Sequence, residues 1–171
     1  MRPFTLPLAI ALAATLSAAH AQDFESEKHS FTLETVVDGL EQPWGMAFLP
    51  NGDMLITEKE GRLRLVQNGQ LVESAIVGVP SVSDSGQGGL LDVAIDPDFE
   101  NNGLVYLSYS AGNLITGVGT TVSRGRLEGL ELTGVEEIFQ QSPRSRGGRH
   151  FGSRFLFDDE GYLFISLGDR G

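Results

Sequence analysis

One strand–turn–strand pattern occurs three times in this 171-residue chain and constrains its fold more than any other feature. Each copy runs from an apolar strand through an acidic or Asn-rich turn to a glycine, three or four apolar residues and a final Ser or Thr. The copies are Phe48–Thr57, Ile95–Ser108 and Phe157–Ser166, and their turn glycines, Gly52, Gly103 and Gly161, lie 51 and 58 residues apart. A strand-only repeat of this length is typical of the blades of a β-propeller.

The repeat predicts an all-β fold, a β-propeller of which about the first three blades are present. A closed propeller has roughly four to eight blades, so the chain is interpreted as the N-terminal part of a longer protein. An arc of three blades would leave strand edges unpaired. A complete β-sandwich is the competing interpretation. The strand content allows a sandwich, but a sandwich does not explain three matching hairpins.

The N-terminus indicates export. Residues 1–21 are predicted to be a signal peptide that is cleaved after Ala21, so that the protein is periplasmic or secreted. The apolar run from Phe4 to Leu16 is shorter than the roughly 20 residues that span a bilayer, which argues against a membrane anchor. Residues 22–30 are polar without a strand period and are predicted to be mobile. Residues 31–171 are assigned to the partial propeller.

Charge and cysteine content exclude several classes of protein. The formal net charge is -11, which argues against nucleic acid or an anionic lipid surface as a partner. The chain has no cysteine, so an exported domain of this sequence is not one of the small disulfide scaffolds.

Two loops differ from the structural hairpins, and the first of them is rich in glycine. It runs from Pro80 to Asp92 and holds three glycines around Gln87, whose amide can both donate and accept hydrogen bonds. Taken by itself, the loop is better explained as a purely structural turn. A dinucleotide or phosphate fingerprint is excluded, because a strand follows where a helix should begin.

The second loop surrounds His150, which is flanked by Arg146, Arg149 and Arg154. An imidazole can take a proton from an alcohol near neutral pH, and nearby cations would favour its neutral form. A solvated basic loop with an incidental histidine is the alternative. A metal site is disfavoured, since no second His or Cys lies near at ligand spacing, and no metal ligand is assigned.

Several short motifs, taken in chain order, carry a resemblance to a known family. They are Gln42–Gly52, Thr57–Glu58 with Gly61–Leu63, Gly86–Ala94 with Asp96–Phe99, and Gly148–Arg154 with Gly168–Gly171. Together they resemble the soluble quinoprotein glucose and aldose sugar dehydrogenases. The match runs from about Thr35 to the last residue.

This resemblance implies a six-bladed propeller that carries pyrroloquinoline quinone and calcium ions in the periplasm. It implies oxidation of the anomeric hydroxyl of an aldose to a lactone, with hydride transfer to the quinone. His150 matches the general base, and Gln87 matches a glutamine of the sugar and quinone pocket. Arg149 falls where the glucose enzymes place an acidic substrate contact, and this departure argues against glucose itself as the substrate.

The fragment interpretation limits what this chain can do alone. At the observed repeat spacing six blades need about 300 residues or more, so most quinone contacts and the calcium sites are expected in later blades. The 171-residue chain is therefore predicted to be inactive by itself. Its expected partners are an aldose and an electron acceptor. A non-enzymatic sugar- or protein-binding propeller is the alternative function, and a calcium-dependent lactonase ranks last because no converging set of carboxylates is visible.

Overall fold

The computed structural model describes residues 21–113 and 115–171 and is built almost entirely of antiparallel strands. The predicted signal peptide lies outside these residues except for Ala21. Two units are distinguished, residues 21–36 and residues 37–171. None of the helices in the described part of the chain is long and apolar enough to cross a membrane.

The first unit is a hairpin. Strand β1 (Ala21–Glu25) pairs with β2 (Ser30–Glu34), and the rings of Phe24 and Phe31 stack with centroids 5.5 Å apart. The sequence indicated no strand in residues 22–30, so β1 corrects that interpretation. The mobility of the segment stays a prediction. The division between the units falls after Val36 rather than before Phe31, the boundary predicted from the sequence.

The second unit contains two four-stranded sheets and one two-stranded sheet, each with its strands in sequence order. The first sheet comprises β3 (Pro43–Phe48), β4 (Met54–Glu58), β5 (Arg62–Gln67) and β6 (Gln70–Leu71). The second comprises β7 (Leu90–Ile95), β8 (Leu104–Asn113), β9 (Gly117–Glu128) and β10 (Glu131–Gln140). The third comprises β11 (Gly152–Phe157) and β12 (Leu163–Leu167). Four-stranded meanders of this kind are propeller blades, which confirms the predicted fold class.

The repeat seen in the sequence is the first hairpin of each sheet. Gly52, Gly103 and Gly161 each lie between the first and second strands, with φ values of +88°, +64° and +85°. Such positive φ values favour glycine, which explains why the repeat keeps this residue. The structure therefore contains two complete blades and the first two strands of a third. A four-residue helix, α1 (Phe99–Asn102), lengthens the turn of the second blade.

The core lies between the first two sheets. Its buried members come from strands of both, and they include Leu55, Leu63, Leu90, Val93 and Leu107. Between the second and third sheets, Tyr106 meets Phe157 edge-on, with ring centroids 5.2 Å apart. Because the inner strands β3, β7 and β11 also contact one another in turn, each sheet is positioned by the preceding one.

Candidate active site

The structure brings the two loops singled out in the sequence together. The Gln87 N–H donates to the Gly148 carbonyl at 2.7 Å, and the His150 N–H donates to Gln87 Oε1 at 3.0 Å. A Cβ at Gly86 would lie 2.3 Å from the Gly148 oxygen, so this approach requires glycine. The two predicted site residues, Gln87 and His150, therefore belong to one site although 63 positions separate them.

His150 has an unusual backbone conformation. Its φ is +51°, in the left-handed region that few non-glycine residues adopt. The hydrogen bond from its N–H to the Gln87 side chain helps to hold this conformation. Such backbone strain costs on the order of 1–3 kcal/mol and is most often found at functional sites.

The imidazole of His150 is paired with a carboxylate. Its Nδ1 lies 2.7 Å from Asp169 Oδ1, and the Gly171 N–H donates to the same oxygen at 3.0 Å. The hydrogen bond from His150, followed by that from Gly171, lowers the pKa of Asp169 below its ordinary value. An ionised Asp169 can only accept, so Nδ1 carries the hydrogen and Nε2 keeps its lone pair. The ring is about half exposed, which leaves Nε2 accessible to a substrate.

A cavity of about 380 Å³ opens beside the imidazole. Its lining comes from all three sheets and from both loops: Trp44, Lys59, Gln87, Leu91, His150, Phe151 and Gly152. The Lys59 ammonium donates to the Asp84 carbonyl at 2.7 Å, which holds a cation at the rim. The lining thus combines an aromatic ring, a cation, an amide and an imidazole, a donor set suited to a small oxygen-rich ligand.

Arg170 holds the loop that carries His150. Its guanidinium donates to the carbonyls of Arg149 at 2.6 Å, Gly147 at 2.8 Å and Val118 at 3.1 Å, and it lies 3.7 Å from the centroid of the Phe151 ring. Burial lowers the pKa of Arg170, but an arginine pKa lies so far above neutral that the group remains a cation. A charged, buried guanidinium with three carbonyl acceptors fixes this loop firmly.

Two of the arginines that flank His150 in the sequence, Arg154 and Arg149, have other neighbours in the structure. Arg154 contacts the Asp92 carboxylate at 3.2 Å and lies over the Trp44 ring at 5.4 Å. Arg149 is exposed beside Gly171, is not among the residues that line the cavity, and contributes only weakly to lowering the Asp169 pKa. The charged group that is hydrogen-bonded to the imidazole is the Asp169 carboxylate.

Asp169 and Arg170 were not assigned a role from the sequence. Both belong to Gly168–Gly171, which was singled out only as part of the resemblance. In the described ranges, residues 21–113 and 115–171, no cluster of three or more His, Asp or Glu side chains could hold a metal ion.

Comparison with known proteins extends these observations. A family model described as Glucose / Sorbosone dehydrogenase matches residues 40–171. The chain is 47% identical over 144 residues to an uncharacterised protein of Synechocystis sp., in a match that covers 80% of this chain and 35% of that protein. It is 42% identical over 170 residues to aldose sugar dehydrogenase YliI of Escherichia coli, covering 98% of this chain and 43% of that enzyme. The chain thus spans less than half the length of these relatives.

A solved structure with a bound cofactor is also similar. The PQQ-bound form of aldose sugar dehydrogenase from Streptomyces coelicolor superimposes with a TM-score of 0.71 at 28% sequence identity. That superposition covers 90% of this chain and 44% of the other.

Proposed function

The chain belongs to the glucose/sorbosone dehydrogenase family, and from this premise we propose that the complete protein oxidises the anomeric hydroxyl of aldose sugars to lactones. His150 is the general base of this reaction. The observation that carries the proposal is the 2.7 Å pairing of His150 Nδ1 with Asp169 beside an open cavity. That pairing leaves Nε2 as a free acceptor for the proton of a hydroxyl group.

A general base is needed because positive charge develops on the sugar during the reaction. As a hydride leaves C1 of the sugar, positive character develops on that carbon, and removal of the hydroxyl proton neutralises it. His150 Nε2 takes this proton and becomes an imidazolium, which the Asp169 carboxylate stabilises through the Nδ1–H. A positioned base typically contributes about 10²- to 10⁴-fold to the rate.

The lining of the cavity fits pyrroloquinoline quinone as the cofactor. This molecule is a flat, acceptor-rich tricarboxylate, and the cavity offers the Lys59 ammonium, the Gln87 amide nitrogen and the Trp44 ring to such a group. Gln87 Oε1 already accepts from His150, so only its Nε2 remains to donate to a ligand. When bound, the quinone supplies the acceptor for the hydride from C1. A PQQ-bound form of a relative supports this assignment.

The substrate is proposed to be an aldose, contacted by Gln87 and Arg149. Arg149 is an exposed cation near Asp169 and Gly171, and its long side chain is proposed to turn towards a sugar bound in the cavity. An external electron acceptor would be needed to reoxidise the quinone. Calcium, with ligands in later blades, and a periplasmic location after removal of residues 1–21 remain part of the proposal. The 171-residue chain alone is expected not to turn over.

The test is the rate of aldose-dependent dye reduction by the complete protein reconstituted with quinone and calcium. His150→Asn is the informative variant, because asparagine tolerates the left-handed φ of this position but is not a base. It should lower kcat by about 10²- to 10⁴-fold. The matched control is His29→Asn in the N-terminal hairpin, which should keep full activity. Equal rates in His150→Asn and the unmodified protein would refute the base assignment.

A further inference from the structure

The hydroxyl residue that ends each repeat makes the same hydrogen bond in all three sheets. It lies on the second strand, five positions after the turn glycine, and accepts from an N–H of the first strand of its own sheet. The three donor and acceptor pairs are Gly45 with Thr57 (2.8 Å), Asp92 with Ser108 (2.8 Å) and Arg154 with Ser166 (2.9 Å).

Two of these hydroxyls also donate to the next sheet. Thr57 Oγ1 donates to the Leu91 carbonyl at 2.5 Å, and Ser108 Oγ donates to the Ser153 carbonyl at 2.8 Å. Both hydroxyl residues are fully buried. Because one hydroxyl accepts in its own sheet and donates to the first strand of the next, it fixes the register of two neighbouring blades. We call this pair of hydrogen bonds the hydroxyl bridge.

The third hydroxyl residue, Ser166, is exposed and has no acceptor for its hydrogen among the residues that the structure describes. Apolar side chains next to it are exposed as well. Phe164 pairs across the hairpin with Leu156, and they are 57% and 68% exposed. The residues equivalent to Phe164 in the first and second sheets are Leu55 and Tyr106, which are 0% and 6% exposed.

The burial of Leu55 and Tyr106 comes from the sheet that follows each of them. Leu55 lies in the core that the first and second sheets share, and Tyr106 packs against Phe157 of the third sheet. In the first and second sheets this face is covered by the sheet that follows. In the third sheet the same face is exposed in the part of the chain that the structure describes.

We propose that Leu156, Phe164 and Ser166 form the docking surface for the first strand of a fourth blade, with the Ser166 hydroxyl donating to a backbone carbonyl of that strand. The partner is an extended strand that places this carbonyl at the position of Leu91 and Ser153 and directs an apolar side chain towards Phe164. A buried carbonyl needs a donor, and the bridge supplies one without a second side chain.

The same comparison of the three sheets predicts a hydrogen-bond acceptor in the first sheet. The Trp44 carbonyl occupies the acceptor position in the first sheet that Leu91 and Ser153 occupy in the second and third. The last blade of a closed ring would therefore donate its hydroxyl to Trp44. Since Trp44, Leu91 and Gly152 all line the cavity beside His150, the bridges act next to the site itself.

The thermal midpoint of the complete protein tests the bridge at Ser166. Ser166→Ala should lower Tm by about 2–4 °C, since it removes the bond from the Arg154 N–H and the bond to the next strand, and it leaves a buried carbonyl without a donor. Ser166→Thr should keep the Tm, because Thr57 makes both bonds in the first sheet. Ser81→Ala, at an exposed serine between β6 and β7, is the control and should have no effect.

Comparison with the 171-residue chain separates the bridge from the bond within the third sheet. The bond from the Arg154 N–H exists in both proteins, whereas the bond to a fourth blade exists only in the complete protein. Ser166→Ala should therefore lower Tm by less in the shorter chain. An equal fall in Tm in both proteins would overturn the proposal. It would also be overturned if the only effect of Ser166→Ala were to weaken self-association of the 171-residue chain, because the surface would then bind a second copy of the chain. An experimental structure of the complete protein provides an independent test. Ser166 Oγ within 3.2 Å of a carbonyl of the next sheet supports the bridge, and a hydroxyl turned to solvent refutes it.

Discussion

His150 is positioned through its main chain as well as through its ring. The Gln87 side chain accepts its N–H, and Arg170 holds the carbonyl of Arg149, the preceding residue. The ring is then oriented by Asp169. Two contacts with His150 itself and one with the residue before it, made by Gln87 and by the Asp169–Arg170 segment, thus hold a residue with a positive φ, which is the arrangement expected of a preorganised base.

Asp169→Asn tests whether the carboxylate acts through the imidazole. Asparagine Oδ1 can still accept from Nδ1–H, but the negative charge that stabilises the imidazolium is lost. We expect kcat to fall by at least about tenfold, with KM little changed because Asp169 does not line the cavity. Steady-state kinetics of the complete protein provides the measurement, with Asp159→Asn, in the exposed turn of the same hairpin, as the control. A raised KM at unchanged kcat would instead place Asp169 in contact with the sugar.

The sequence predicted His150 and Gln87 but not their partners. Imidazole and amide groups in glycine-rich loops are visible as candidates, whereas Asp169 lies 19 positions from His150 and is one of many acidic residues. Only the hairpin of β11 and β12, which pairs Gly152 with Leu167, returns the chain to the imidazole. The predicted effect of the flanking arginines on the imidazole stays a prediction.

Two aspartates of the second blade, Asp92 in a strand and Asp96 in a turn, have pKa values that are shifted in opposite directions. Burial raises the pKa of Asp92, and the Phe155 N–H and the Arg154 guanidinium offset only part of this effect. Burial would also raise the pKa of Asp96, but hydrogen bonds, chiefly from the Asp98 N–H, outweigh it and lower the pKa. Ionised Asp92 therefore costs stability, whereas ionised Asp96 contributes to it.

The two aspartates predict opposite pH dependence for matched variants. A raised folded-state pKa means that stability is lost as pH rises through it, so Asp92→Asn should gain stability relative to the unmodified protein between about pH 4 and pH 7. A lowered pKa means that stability is lost as pH falls, so Asp96→Asn should be less stable at pH 7, with the deficit shrinking in acid. Urea unfolding of the complete protein at several pH values measures both. The same trend in both variants would contradict this assignment.

The repeated hairpins were predictable because burial repeats with them. Each first hairpin carries apolar residues towards a neighbouring sheet and needs a positive φ at its turn, so both signals appear in the sequence. Strand β1 carries neither signal. Its partner β2 is exposed throughout, so main-chain pairing rather than burial forms the N-terminal hairpin, and an apolar period could not reveal it. The single helical turn of α1 is likewise too short to show a period.

For the whole molecule, the site depends on how the blades meet. The cavity draws Trp44 from β3, Leu91 from β7 and Gly152 from β11, which are the first strands of three successive sheets. No single blade contains this cavity, so it forms only when the sheets stack. Single-strand patterns predicted the blades, but the shared cavity arises from contacts between them and could only be inferred through the family resemblance.

We propose that the complete protein is a quinone-dependent dehydrogenase rather than a propeller that only binds sugars or proteins. The most direct measurement is an absorbance titration of the complete protein with pyrroloquinoline quinone in the presence of calcium, followed by addition of an aldose. We predict saturable binding of one quinone per chain, followed by conversion of its spectrum to the reduced form when the sugar is added. Sugar binding with no uptake of quinone would rule out a quinone-dependent dehydrogenase and favour the non-enzymatic alternative.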